Sequence, residues 1–172
     1  MQARMLFLLM ATLAFGCKPP VQEHQPPDPD PIRDQFVKIN RYMHRRHQDH
    51  IAAFVERVGW KADVTPSGLW IVKKASGTGP VIAAGNRVTF TFTSTLLDGT
   101  PAYRATETAP KEVVIGQGGV ESGVEEGMRH LQTGSIATLI IPPHLAHGNF
   151  GDRDKIPGNT VLIYHLEIKD VR

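Results

Sequence analysis

GQGGVESGVEEGMRHLQTGSIATLIIPPHLAHG, residues 116–148, decides how the rest of the chain must fold. Ser122 and Glu125 form an S-x-x-E pattern, in which the hydroxyl accepts one free helix N–H and the glutamate reaches back to another. A helix is expected to start there. It must be short, because Gly127 weakens it and Gly134 stands where a left-handed stop belongs, leaving about two to three turns. Val124, Met128 and Leu131 recur at i, i+4 and i+7, an apolar stripe that needs a surface to cover. Residues 136–141 supply it. This run is apolar, rich in β-branched residues, and bounded by Gly134 and Pro142-Pro143, so it reads as a strand buried on both sides.

Working outward, residues 87–93 alternate, with Val88, Phe90 and Phe92 on one face and Thr89, Thr91 and Thr93 on the other, as in a half-buried strand. Asp98-Gly99 is a turn signal. Residues 69–72 and 113–115 are further short strands, and residues 161–171 alternate again, with Leu162, Tyr164, Leu166 and Ile168 facing one way. The runs give about five antiparallel strands, one short core helix and a separate N-terminal helix, an α+β pattern.

That N-terminal helix is expected over residues 32–59. Phe36, Ile39, Met43, His47, Ile51, Phe54 and Val58 fall three or four residues apart on one stripe, and Gly59 stops it. Arg41, Arg45, Arg46, Asp49, Glu56 and Arg57 lie on the other face. The stripe fits two uses, an arm packed on the domain or a segment that dimerises. His44, His47 and His50 follow at steps of three. Such steps spread the rings over about a third of the helix circumference, and no cysteine lies near to complete a soft metal site. Solvated or partly packed histidines are the expectation, with no metal and no cofactor.

The 172 residues suit one ordinary domain plus extra segments. With 41% hydrophobic residues, 21% charged residues and a net charge of +2, the chain carries no strong field for nucleic acid or anionic surfaces. Its one cysteine, Cys17, excludes an internal disulfide. Residues 1–17 have a basic start at Arg4 and an apolar run too short to span a bilayer, as in an export signal. The run ends Leu13-Ala14-Phe15-Gly16-Cys17, which resembles a bacterial lipobox with Ala14 where leucine is usual. Acylation of Cys17 is the expectation; ordinary cleavage or a retained anchor is the alternative. Lys18 follows the cysteine, and the absence of aspartate there points to the outer membrane, facing the periplasm. Residues 18–31 are dense in proline and nearly free of apolar side chains, an extended tether of about 3.1 Å per residue.

These marks together resemble an FKBP-type peptidyl-prolyl cis-trans isomerase domain over residues 67–172, with a helical arm at 32–66. They are the Asp98-Gly99 turn, V-x-x-G-V-E-E-G-M from Val120 to Met128, and G-x-x-A-x-L-x-I-P ending at Pro142. Ala146-His147-Gly148 and Ile156-Pro157-Gly158-Asn159 complete the order. Val120-Glu121-Ser122-Gly123, Gly151-Asp152, Gly59-Trp60 and Gly68-Leu69-Trp70 are most similar to the lipoprotein FKBPs of gliding bacteria. The resemblance implies an antiparallel sheet wrapped on one short helix, and isomerisation of X-Pro bonds in exported proteins without a catalytic acid, base or nucleophile. An apolar pocket that holds the proline ring and favours a twisted amide over the planar one suffices.

Carried over by position, the resemblance implies substrate contacts at Phe92, Tyr103, Val120, Glu121, Val124, His147, Ile156 and Tyr164. Val120 and Tyr164 match wall positions, and Ile156 matches a flap. Glu121 falls where the family uses a backbone N–H for the substrate carbonyl, leaving its side chain little to do. Phe92 stands where many members have tyrosine, Val124 at a tryptophan floor, and His147 at a tyrosine. Ala102-Tyr103 replaces phenylalanine and aspartate, and Lys111 replaces an aromatic residue. His147, in a loop, would make binding depend on pH near about 6.5. The chain reads as a membrane-tethered isomerase that assists folding of exported proteins; the alternative is an FKBP-shaped binding or scaffold module with a weakened pocket. Proline-containing peptide segments and a membrane, through Cys17, are the expected partners, with self-pairing through the arm as a further one.

Overall fold

A computed structural model describes residues 31–172. The signal and tether readings, including Cys17, lie outside these residues. A long helix, α1 (Pro31–Arg57), leads into strands β1 (Asp63–Val64) and β2 (Trp70–Ala75). There follow β3 (Arg87–Leu96), β4 (Pro101–Ala105), β5 (Lys111–Val114), the short helix α2 (Ser122–Met128), β6 (Ile136–Ile141) and β7 (Leu162–Val171). All pairings are antiparallel in the order β1-β2-β6-β7-β3-β4, with β5 sharing the outer side of β3. Seven strands form where the sequence suggested about five; the two extra are β1 and β4.

Alternation along β3 places Val88, Phe90, Phe92 and Ser94 inward, and its register sets Phe92 opposite Leu166 and Ser94 opposite Tyr164 on β7. On the same face α2 covers the sheet, with Val124 and Met128 fully buried. The approach is close. A Cβ on Gly127 would sit 2.4 Å from Leu139 Cδ1, and one on Gly123 would sit 2.5 Å from Ile141 Cγ2. Gly127 is therefore the surface that lets the helix seat, rather than only a weak point in it.

The capping box does not form. Glu121 is the N-cap and caps with no side-chain bond, while the Ser122 hydroxyl donates to Leu145 O at 3.2 Å and Glu125 pairs with Arg129 at 2.6 Å. Ser122 turns outward because the Pro143–Leu145 turn offers it a carbonyl across the fold. Gly134 does adopt a left-handed φ of 84°, but the helix has ended at Met128; the glycine instead turns the chain into β6.

β6 is buried on both faces, as its composition suggested, from Ala137 to Ile141. Its outer side meets the arm. Ile51, fully buried, and Val55 pack with Ile140, Val161 and Ile163, flanked by Phe54, Trp60 and Trp70. Gln48 adds polar contacts, donating to Gly68 O at 3.0 Å and accepting from Trp70 Nε1 at 2.7 Å. Val55, not Val58, carries the stripe at this end, since Val58 is exposed. The first half of α1 does not dock: Phe36, Ile39 and Tyr42 are each more than half exposed. The arm thus packs on the domain through its second half only.

Candidate functional site

The loop ahead of α2 brings Gly119, Val120 and Glu121 to one end of the sheet, facing Phe92 on β3, Tyr103, Arg104 and Ala105 on β4, and Tyr164 on β7. Lys111, Ala146, His147 and Asp152 close a cavity of about 660 Å³. Phe92 and Tyr164, neighbours on paired strands, stack at 4.9 Å between ring centroids with 25° between their planes. The wall here is aromatic, and hydrogen bonds fix the polar groups of Tyr103, Glu121, Asp152 and Tyr164 around it.

Tyr164 is 3% exposed and donates its O–H to Glu121 Oε1 at 2.7 Å. Burial first, and then the Glu121 carboxylate, push this phenol well above its ordinary pKa, so it remains a donor. His147 Nε2 lies 3.0 Å from the same oxygen and donates to it in the tautomer that carries hydrogen there. The Glu121 side chain, read as idle from its position, instead joins two sides of the cavity and is only 11% exposed. Its backbone N–H has no partner among the described residues and is left for a guest.

Tyr103 holds the loop that follows His147. Its backbone is clamped by Ser94, whose hydroxyl accepts from Tyr103 N–H at 3.0 Å and donates to Tyr103 O at 3.2 Å. The phenol donates to Asp152 at 2.5 Å and lies 3.2 Å from Asp154. Its hydrogen bond to Asp152, above all, raises the Tyr103 pKa. Asp152 in turn accepts the N–H groups of Asp154 at 2.9 Å and Ile156 at 2.8 Å. Burial works to raise its pKa, but the Tyr103 and backbone hydrogen bonds, with His147 nearby, bring it down to about 2. Lys155 Nζ stands 5.0 Å over the Tyr103 ring.

Six of the eight residues that the sequence singled out therefore line one cavity: Phe92, Tyr103, Val120, Glu121, His147 and Tyr164. Val124 and Ile156 do not. Val124 is fully buried under α2, and Ile156, 2% exposed, is drawn into the same core by its bond to Asp152. The positions of a floor and a flap are thus filled by core side chains. Arg104, Ala105, Gly119, Ala146 and Asp152 line the cavity without having been singled out. For Asp152 a signal existed, since an aspartate opening a polar loop commonly takes backbone N–H groups two residues on.

The histidines of the arm do not converge on a metal site: among the described residues no three His, Cys, Asp or Glu side chains do. His44 instead stacks at 3.8 Å on His144, whose Nε2 meets Ser67 O at 2.9 Å. Burial first, and then neighbouring histidines, lower the pKa of His47. Burial likewise lowers that of His144, opposed by its bond to Ser67.

An antiparallel sheet wrapped on a two-turn helix, with an aromatic cavity at one end of it, defines the class of domain. The family description "FKBP-type peptidyl-prolyl cis-trans isomerase" matches residues 79–169, just over half the chain, and the chain belongs to this family. It is 33% identical over 110 residues to FK506-binding protein 4 of Mycosarcoma maydis, covering 62% of this chain and 28% of that protein. Peptidyl-prolyl cis-trans isomerase FKBP10 of Homo sapiens is 36% identical over 85 residues, 49% of this chain and 14% of that one. The chain thus spans well under a third of these relatives. Among solved structures, FkpA from Escherichia coli superposes with a TM-score of 0.63 at 26% identity, covering 82% of this chain and 68% of that one. A peptidyl-prolyl cis-trans isomerase from Pseudomonas syringae superposes at 0.65, covering 76% and 94%; at 24% identity it speaks for the fold alone.

Proposed function

We propose that this protein is a peptidyl-prolyl cis-trans isomerase that turns X-Pro bonds in exported proteins and so assists their folding. The observation that carries this is the unpartnered Glu121 N–H at the mouth of a cavity walled by the stacked Phe92 and Tyr164 rings. Rotation about an X-Pro bond is slowed by a barrier of about 18 to 20 kcal/mol, because it breaks amide resonance. The aromatic wall takes the proline ring, and the N–H donates a hydrogen bond to the preceding carbonyl. Shielding that carbonyl from water favours the twisted amide, which is less polar than the planar one. No proton is transferred and no covalent bond to the protein forms.

Residues 1–17 serve as a lipoprotein signal in this reading, Cys17 as the acylated residue and residues 18–31 as the tether, with residues 67–172 as the isomerase domain. The protein then sits in the cell envelope, anchored to the outer membrane and facing the periplasm. Among the described residues no helix is long and apolar enough to cross a membrane. In this reading a lipid at Cys17 carries the attachment. Replacing Cys17 with alanine would release the protein from the membrane fraction. The exposed Phe36, Ile39 and Tyr42 support self-pairing of two copies through the first half of the arm; sedimentation of the wild type beside Phe36→Glu tests it.

The direct test is isomerisation of a set of proline tetrapeptides by the chain lacking residues 1–17, beside Tyr164→Ala and Tyr164→Phe. A rate above background that falls at least about tenfold in the alanine variant, a loss of about 1.4 kcal/mol, supports the enzyme. A folded protein with no rate on any peptide supports the second reading, a binding or scaffold module. The observation that favours that reading is Val124, which is buried in the core and leaves the cavity without an aromatic floor.

A further inference from the structure

Glu121 brings a carboxylate into the cavity beside the Tyr164 end of the stacked Phe92–Tyr164 wall. Both of its hydrogen bonds, from Tyr164 and His147, end on Oε1. The second oxygen, Oε2, has no partner among the described residues. A carboxylate offers about four acceptor sites, so half of this one's capacity remains open. Water can fill it while the cavity is empty. A peptide that fills the cavity expels that water, and an acceptor then left unpaired in a nearly buried place penalises the complex.

Resting on the isomerase reading above, we infer that Glu121 makes this cavity selective for proline segments with lysine or arginine next to the proline. A cationic side chain gives Oε2 the donor it lacks and meets the carboxylate charge as well; a purely apolar neighbour does neither. The selection works mainly by rejecting partners that strand the acceptor. The other charges around the cavity do not provide the same site. Asp152 is already engaged, Oδ2 by Tyr103 and Oδ1 by the N–H groups of Asp154 and Ile156. Arg104 is exposed and Lys111 half-buried, so water screens their charges more than that of Glu121. Neither makes an ion pair among the described residues, so neither neutralises Glu121.

The test measures affinity, which does not require catalysis. Two capped peptide series, Ala-Xaa-Pro-Ala and Ala-Pro-Xaa-Ala, are titrated into the chain lacking residues 1–17, with Xaa lysine, norleucine or glutamate. Norleucine keeps much of the apolar stem of lysine and drops the charge. In at least one series lysine should bind about tenfold tighter than norleucine, a difference of about 1.4 kcal/mol, and glutamate weakest. The lysine preference should shrink in high salt and fall to near unity in Glu121→Gln, whose amide oxygen can still accept from Tyr164 and His147. Norleucine binding as well as lysine in both series of the wild type overturns the inference, as does a preference that survives Glu121→Gln. Should that variant not fold, the wild-type salt dependence decides. Isomerisation of the same peptides separates the two claims: turnover without a charge preference keeps the enzyme and rejects the role of Glu121. A preference in binding without turnover does the reverse, and no binding by any peptide rejects both.

Discussion

Replacing Gly127 with alanine should destabilise this protein, although the same change in an exposed helix interior would gain about 1 kcal/mol from propensity. The added Cβ would lie 2.4 Å from Leu139 Cδ1, 2.7 Å from Cδ2 and 3.1 Å from Cγ. Carbon atoms settle at about 3.5 to 4.0 Å, so either the leucine or the helix must move by more than an ångström. Leu139 is fully buried and cannot turn into solvent. Overpacking of this type costs about 1 to 3 kcal/mol, which leaves a net loss of about 1 kcal/mol once the propensity gain is subtracted. At Gly123 the neighbours give less: Ile141 Cγ2 at 2.5 Å is β-branched, and Leu145 Cβ and O at 3.1 Å belong to or adjoin the backbone. Gly123→Ala should therefore lose more, about 2 to 3 kcal/mol. Equilibrium denaturation at fixed m-value reads both. Leu139→Ala alone should cost about 2 to 5 kcal/mol, and Gly127→Ala on that background should cost nothing or stabilise, an interaction energy of about 1 kcal/mol or more. A Gly127→Ala protein more stable than wild type, or strict additivity with Leu139→Ala, would refute the close-approach argument.

Two further outcomes follow from the site and the arm. Tyr103→Phe keeps the ring and removes the O–H that holds Asp152 and Asp154, so amide exchange across residues 151–156 should quicken and peptide KM should rise more than kcat falls; unchanged exchange there would remove the phenol from the loop's support. Burial lowers the pKa of His47, His144 and His165, each held mainly neutral in the fold. As pH falls below about 6.5, the unfolded chain takes up protons that these folded sites resist, so stability is complete above that value and lost as pH drops through the folded values. Denaturation midpoints at neutral pH and about one unit below 6.5 should differ, with part of the difference removed in His144→Gln; a flat profile across that window would contradict it.

What the sequence made legible was whatever a local pattern sufficed to specify. The alternation that carries β3 and the apolar run that carries β6 each follow from side-chain period and burial, and both stand where they were expected. β4 was not legible, because Pro101-Ala102-Tyr103-Arg104-Ala105 opens on a proline and has no β-branched residue; its place is set from across the fold by Ser94, which clamps the Tyr103 backbone. The capping box failed for a related reason. Ser122 had a local use and a distant one, and the Leu145 carbonyl, 23 residues away, won.

Glu121 is the sharpest case, and it bears on what the cavity can do. Family position predicted an idle side chain, on the reasonable ground that a backbone group was the one needed. Yet Tyr164 lies 43 residues further on and His147 26, so no local pattern could reveal that both would reach Oε1. The three side chains fit one another: a buried phenol needs an acceptor, a half-buried imidazole needs one as well, and a carboxylate in the cavity needs donors. Removing Glu121 leaves both donors without this acceptor, whereas removing either donor leaves Oε1 bonded to the other. Within this arrangement the replacement of an aromatic floor by Val124 need not empty the pocket of specificity, because the acceptor at Glu121 can take over part of the selection that a larger apolar surface would have provided.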